Sequence, residues 1–133
     1  MKLERLRGRK ICDRVMRRGI LLKGRTMNVR ALLGSPRHPH ADAKNHAVYV
    51  GTVASTKLDK SAVKRNRMRR RCREAWRITL RERAGTRSVQ LLIMPRSSRL
   101  KAPFEELQKD VSTFLATIHT WHLPSEIVSS SLR

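Results

Sequence analysis

Between residues 57 and 83, apolar side chains recur at helical spacing inside a cationic stretch, KLDKSAVKRNRMRRRCREAWRITLRER. At 100° per residue, Met68, Cys72, Ala75, Trp76 and Thr79 fall on one face. Asn66, Arg70, Arg73, Arg77 and Arg81 fall on the opposite face, with Arg67 and Glu74 beside them. The pattern predicts a helix that grips a core on one side and presents arginines on the other. A second stripe, Phe104, Leu107, Val111, Phe114, Leu115 and Ile118, predicts a helix over 103–119. Pro103 suits its first position, and Glu105 and Glu106 complement the positive end of its dipole. A shorter helix over Arg9–Arg18 gathers Ile11, Cys12, Val15 and Met16 on one face, and Gly19 fits the left-handed position that ends helices.

Period two replaces this spacing elsewhere. Met27, Val29 and Ala31 alternate with Asn28 and Arg30, which predicts a half-buried strand after a bend at Gly24, with room for a further short strand in 20–33. Two dense apolar runs of strand length follow, at 47–54 (AVYVGTVA) and 89–94 (VQLLIM), the second stopped by Pro95. Residues 1–8 read as basic and irregular, 34–46 as a loop, 84–87 as a turn through Gly85, and 124–133 as a flexible tail. The expectation is a single α+β domain over 1–123, a small central sheet packed with about three helices.

Charge changes this picture from a fold to a partner. The 133 residues hold 31 Lys+Arg against 10 Asp+Glu, a net charge of +21 and a pI near 11.8. Lys64 to Arg73 places seven cations in ten positions with no acid among them. A solvated helix interleaves acids at i, i+4; this one needs a dense polyanion, and nucleic acid is the expected partner. Aromatic residues are few, which disfavours a base-stacking platform. Cys12 and Cys72 have no CxxC spacing and read as buried thiols of a reducing compartment. His38, His40 and His46 share a loop without cysteine or a clear ligand spacing, so a solvated loop is expected there rather than a metal site. His119 and His122 have no evident further ligands. No long apolar run and no signal-peptide pattern is present, and a cytoplasmic protein with no membrane association is expected.

Residues 60–77, KSAVKRNRMRRRCREAWR, resemble the arginine-asparagine-arginine signature of the bacterial ribonuclease P protein subunit. The signature itself is Arg65, Asn66 and Arg67, followed at the family's spacing by Arg70 and by Arg73-Glu74. Asp13 to Gly19 resembles the family's first helix, and Val89–Pro95 and Phe104–Ile118 its last strand and helix, so the likeness covers about residues 9–120. It implies a ribosomal-protein-like fold in which a left-handed βαβ crossover carries the basic helix. It implies a subunit that joins a catalytic RNA in removing the 5′ leader from precursor tRNA. Both RNAs would be partners, with no obligate protein partner evident, and Mg²⁺ would be held mainly by the RNA. By position, Lys57, Lys64, Arg65, Asn66, Arg67, Arg70 and Arg73 would contact the catalytic RNA, with Asn66 open to a second role capping a backbone group. A leader cleft would be lined by Cys12, Arg14, Met16, Met27 and Arg30. Members often carry aromatics where this chain has Cys12, Met16 and Arg30, so charge and pliable methionine contacts would replace stacking here; ordinary core packing is the other reading of Cys12 and Met16.

Two rivals are weighed against this. An autonomous protein nuclease would need clustered carboxylates or a His with a general acid, and the ten acids are scattered. No protein catalytic residue is therefore expected. A ribosomal or other structural RNA-binding protein fits the composition equally well, and only the resemblance separates the two.

Overall fold

The period-two segments pair into one five-stranded sheet, ordered β1-β4-β5-β3-β2. It is seen in a computed structural model that describes residues 2–36, 47–54, 59–82, 88–96 and 102–121. The elements in chain order are β1 (Lys2–Arg5), α1 (Arg9–Arg18), β2 (Ile20–Lys23), β3 (Met27–Leu33), β4 (Ala47–Thr52), α2 (Ala62–Arg81), β5 (Val89–Pro95) and α3 (Phe104–His119). The family of β1, β4 and β5 is parallel, while β3 runs antiparallel to both β5 and β2. Parallel neighbours cannot be joined by a tight turn, and α2 makes the long connection between β4 and β5.

Strand register sorts side chains between two faces. Val29 and Ala31 of β3, Val48 and Val50 of β4, and Leu91 and Ile93 of β5 form the main core with Cys72, Trp76 and Leu80 of α2 and Leu107, Val111 and Leu115 of α3. Trp76 stacks on Phe114 with ring centroids 6.3 Å apart, which joins the two helices over the sheet. The other face carries a smaller cluster, Leu6, Val15, Ala47, Tyr49 and Leu92, with Ile11, Cys12 and Leu32 packed against it. Here α1 is the covering element, and Val15 is its one buried residue. The α2 stripe is as its spacing predicts, with Met68, Cys72, Ala75, Trp76 and Thr79 all buried, joined by Leu80.

Four expectations are corrected. Residues 2–5 are a strand: β1 lies on the sheet edge, paired with β4 from Lys2↔Ala47 to Arg5↔Val50, and Leu3 packs against the main core. Gly19 is extended, at φ −68 and ψ 150, and serves close approach instead. A Cβ there would meet the Val15 carbonyl oxygen at 2.4 Å and the Ala31 nitrogen at 3.2 Å. Pro103 is the cap preceding α3 rather than its first residue. Cys72 is buried, but Cys12 is only half-buried.

The β2–β3 turn is fastened from the far side of the core. Asp110 Oδ2 on α3 accepts from the Thr26 amide at 2.7 Å and the Thr26 hydroxyl at 2.6 Å. Arg96 Nη1 donates to the Gly24 carbonyl at 2.9 Å. Most of the expected His-containing loop (37–46 of 34–46), the turn expected at 84–87, His122 and the tail expected at 124–133 lie outside the described residues.

Candidate nucleic-acid interface

Helix α2 begins where its sequence supplies a cap. The Ser61 hydroxyl accepts from the Lys64 amide at 3.3 Å, and Asp59 Oδ1 accepts from the Ser61 amide at 2.8 Å. From there the arginines divide into two groups. The first turns inward to the backbone. Arg65 Nη1 donates to the carbonyls of Asp59 (2.9 Å) and Lys60 (3.0 Å). Arg69 donates through Nη2 to the Ala54 carbonyl and through Nη1 to Asn66 Oδ1, both at 2.9 Å. Arg71 Nη2 donates to the Ala102 carbonyl. These bonds tie α2 to the end of β4 and to the segment before α3. Asn66 thus orients a bracing arginine, and among the described residues its side chain caps no backbone group.

The second group faces outward. Lys64, Arg67 and Arg70 are exposed, and Arg73 is half-buried. Arg70 and Arg73 have no hydrogen-bond or ion-pair partner among the described residues. The one acid within α2, Glu74, pairs with Arg77, whose Nε donates to Glu74 Oε2 at 2.9 Å. That hydrogen bond holds the Glu74 carboxyl below the usual carboxylate range and Arg77 above its own. Glu74 is therefore neutralised locally, and the field of the outer face stays positive. Lys57 lies outside the described residues.

The α1 side of the sheet is the second surface. Arg30 pairs with Leu92 and Leu21, and Asn28 with Met94 and Lys23, so all of these project toward the α1 side. Arg30 Nη1 donates to the Gly19 carbonyl at 3.3 Å, which places it at the end of α1. Met16 and Leu21 are each 37% exposed. Nε of Arg14, Nε of Arg30 and Oδ1 of Asn28 are buried without a hydrogen-bond partner among the described residues. The same holds for Nε of Arg69 and Nε1 of Trp76 in α2, so such atoms lie on both sides of the sheet. Cys12 lies at the packed end of α1, and its thiol is pushed up by partial burial and then by Asp13.

Met27 does not belong there. It is wholly buried on the α2–α3 face, within the main core. Residues 27 and 30 differ by an odd number of strand positions and cannot share a face. Asn28, and not Met27, shares the face of Arg30. Arg69 and Asn28 are the residues the sequence reading missed. Arg69 lies one position from the apolar stripe of α2, where a cation must find backbone partners, and strand parity alone identifies Asn28. Among the described residues, no three of His, Cys, Asp or Glu come together to hold a metal ion. Nor is any described helix long and apolar enough to cross a membrane.

The Ribonuclease P family model matches residues 1–119. The fold is similar to that of the RNase P protein from Thermotoga maritima, with a TM-score of 0.67 and 19% identity over 86% of this chain and 96% of that one. It is also similar to the Staphylococcus aureus RNase P protein, with a TM-score of 0.64 and 16% identity over 87% of this chain and 97% of that one. At such identities the likeness to these structures is one of fold.

Proposed function

This chain belongs to the Ribonuclease P family, and from that we propose that it is the RNA-binding protein subunit of the ribonucleoprotein that removes 5′ leaders from precursor tRNA. The observation that carries the reading is the outer face of α2, where Arg70 and Arg73 have no partner among the described residues and stand beside exposed Lys64 and Arg67. Such a face gains most from phosphate oxygens, which guanidinium groups bind in forked pairs. Lys64, Arg67, Arg70 and Arg73 contact the catalytic RNA, together with Lys57, and Arg65 and Asn66 act through the bracing of α2. Endonucleolytic hydrolysis is carried out by the RNA, which also holds the Mg²⁺.

The α1-side cleft takes the leader. Arg14, Lys23 and Arg30 supply cations, and Met16 and Leu21 supply an apolar surface without a ring to stack on. Cys12 packs the end of the cleft rather than its open part. Leader binding is therefore carried mainly by phosphates, with a log–log salt slope of about −0.7 per contact and weak base preference.

Reconstitution tests the reading. RNA-free protein alone is expected to leave precursor tRNA uncut. Added to the catalytic RNA from the same source at low Mg²⁺, it is expected to raise the rate of 5′ maturation. Binding to that RNA with no gain in cleavage would point instead to a structural RNA-binding protein.

A further inference from the structure

A cleft of about 640 Å³ runs between the first turns of α2 and the edge of the sheet. Arg5 of β1 and Thr52 of β4 line one wall, and Val63, Arg70 and Arg73 of α2 the other. Arg5 belongs to a segment that reads as irregular in the sequence and carries no assigned role. The register Arg5↔Val50 turns it toward the α2 side of the sheet. Arg5, Arg70 and Arg73 have no hydrogen-bond or ion-pair partner among the described residues. Cations therefore enter the cleft from two separate elements.

Two further features narrow the ligand. The cleft is braced, because the Asn66–Arg69–Ala54 chain of hydrogen bonds pins α2 to the end of β4; a preformed site loses little ordering entropy on binding. Among its cations sits Val63, 74% exposed. A duplex can lay its outer phosphates on Arg70 and Arg73, but its bases are paired inward and offer nothing to Val63. An unpaired strand carries both chemistries at once, phosphate on one side and an apolar base and sugar on the other. The volume falls in the range of sites for small organic ligands, about 300–1,000 Å³, enough for about one or two nucleotides.

We propose that this cleft receives an unpaired stretch of the catalytic RNA, its phosphates held by Arg5, Arg70 and Arg73 and a base or sugar resting on Val63 and Thr52. The assignment rests on the reading that the chain binds the catalytic RNA, and it adds β1 to the RNA surface. No aromatic residue lines the cleft, so contact there is tolerant of base identity.

The test uses the full chain. Arg5→Ala is expected to weaken binding to the catalytic RNA about three- to tenfold and to reduce the salt slope by about 0.7, the share of one single-strand phosphate. Arg5→Lys should recover most of that loss. Val63→Glu should weaken binding at least as much with an unchanged thermal melting curve, since the side chain is exposed. With the parent protein, the Val63 methyl resonances should shift on adding a short oligouridylate and stay in place with a blunt RNA duplex of equal phosphate count. If Arg5→Ala and Val63→Glu bind the catalytic RNA like the parent, or if the duplex moves the Val63 methyls as far as the oligouridylate does, the cleft assignment is overturned while the subunit reading stands. A parent protein that does not bind the catalytic RNA overturns both.

Discussion

Beneath α2 and α3, Val29, Ala31, Val48, Val50, Leu91 and Ile93 are each no more than 1% exposed. On the opposite side of the same sheet, Met16 and Leu21 are each 37% exposed, and three buried polar atoms of Arg14, Asn28 and Arg30 have no described partner. Two long helices close the first face, whereas a single ten-residue helix covers only part of the second. The first face holds the chain together. The second keeps more apolar surface open to solvent, at Met16 and Leu21. If the leader is bound on the α1 side as proposed, folding and leader binding fall on opposite sides of one sheet, and substitutions on the two sides should separate them.

The largest separation is expected from truncations of large apolar side chains. Trp76→Ala opens a cavity under the closed face and should cost about 3–5 kcal/mol, a large fraction of the stability of a domain of this size. Met16→Ala removes a side chain already exposed to solvent and should cost less than about 1 kcal/mol, while reducing discrimination between precursor and mature tRNA. Denaturant melts and tRNA titrations of both variants measure this. Equal destabilisation by the two would mean that the α1 face is as much core as its opposite.

The same division runs along α2. Arg70→Ala removes an outward cation and should weaken binding to the catalytic RNA by about 1–3 kcal/mol with an unchanged melting curve. Arg65→Ala should lower the melting temperature as well, because its guanidinium holds the carbonyls of Asp59 and Lys60. Circular dichroism melts beside RNA titrations distinguish them. Unchanged stability in Arg65→Ala would return that residue to the outward group.

A smaller effect is expected within the cleft. Lengthening a leader by a few nucleotides should tighten binding to the assembled ribonucleoprotein. Arg30→Ala should remove much of that gain, with a salt slope shallower by about 0.7, and leave assembly with the catalytic RNA intact. If leader length does not matter, or if Arg30→Ala acts only by blocking assembly, the cleft lies elsewhere.

Most of the closed face was legible in the sequence, and its physics explains why. The stripes in α2 and α3 repeat through several turns, and the β3 alternation pairs Val29 and Ala31 against Asn28 and Arg30. Long periodic segments average out single exceptions. β1 offered no such signal: KLER has one apolar residue, Leu3, which packs against the core, and an edge strand needs no more. Gly19 was misread because a helix-ending glycine and a glycine admitting a neighbouring strand look alike in one dimension. The α1 side of the sheet was half legible. Arg14, Met16 and Arg30 fall on the open side, but Met27 was placed beside Arg30 against the period of the strand. The bracing by Arg69 depends on where Ala54 lies, and that is a matter of tertiary structure.

The two cysteines report on the two faces with the smallest perturbation of all. Cys72 lies in the main core, and burial, with a smaller contribution from Asp110, pushes its thiol up to about 12 despite the opposing pull of Arg71. Cys12 sits half-buried on the α1 side, its thiol raised by burial and by Asp13. Only thiolates react with alkylating reagents. The native protein should therefore take up one equivalent, slowly, at Cys12, and a second at Cys72 only on unfolding. The pH dependence has a definite sign. An unfolded Cys72 ionises near its ordinary value of 9.0 while the folded one stays protonated, so unfolding releases a proton over that interval. The contribution of Cys72 to stability should be level below about pH 9 and fall as pH rises from there toward 12, with the Cys72→Ala variant losing that part of the slope. Mass spectrometry of labelled peptides across a pH series reads both sites together. Precursor tRNA bound to the assembled ribonucleoprotein should slow labelling at Cys12 more than mature tRNA does, because only the precursor brings a leader to that side. Equal protection by the two RNAs would mean that the leader does not reach α1.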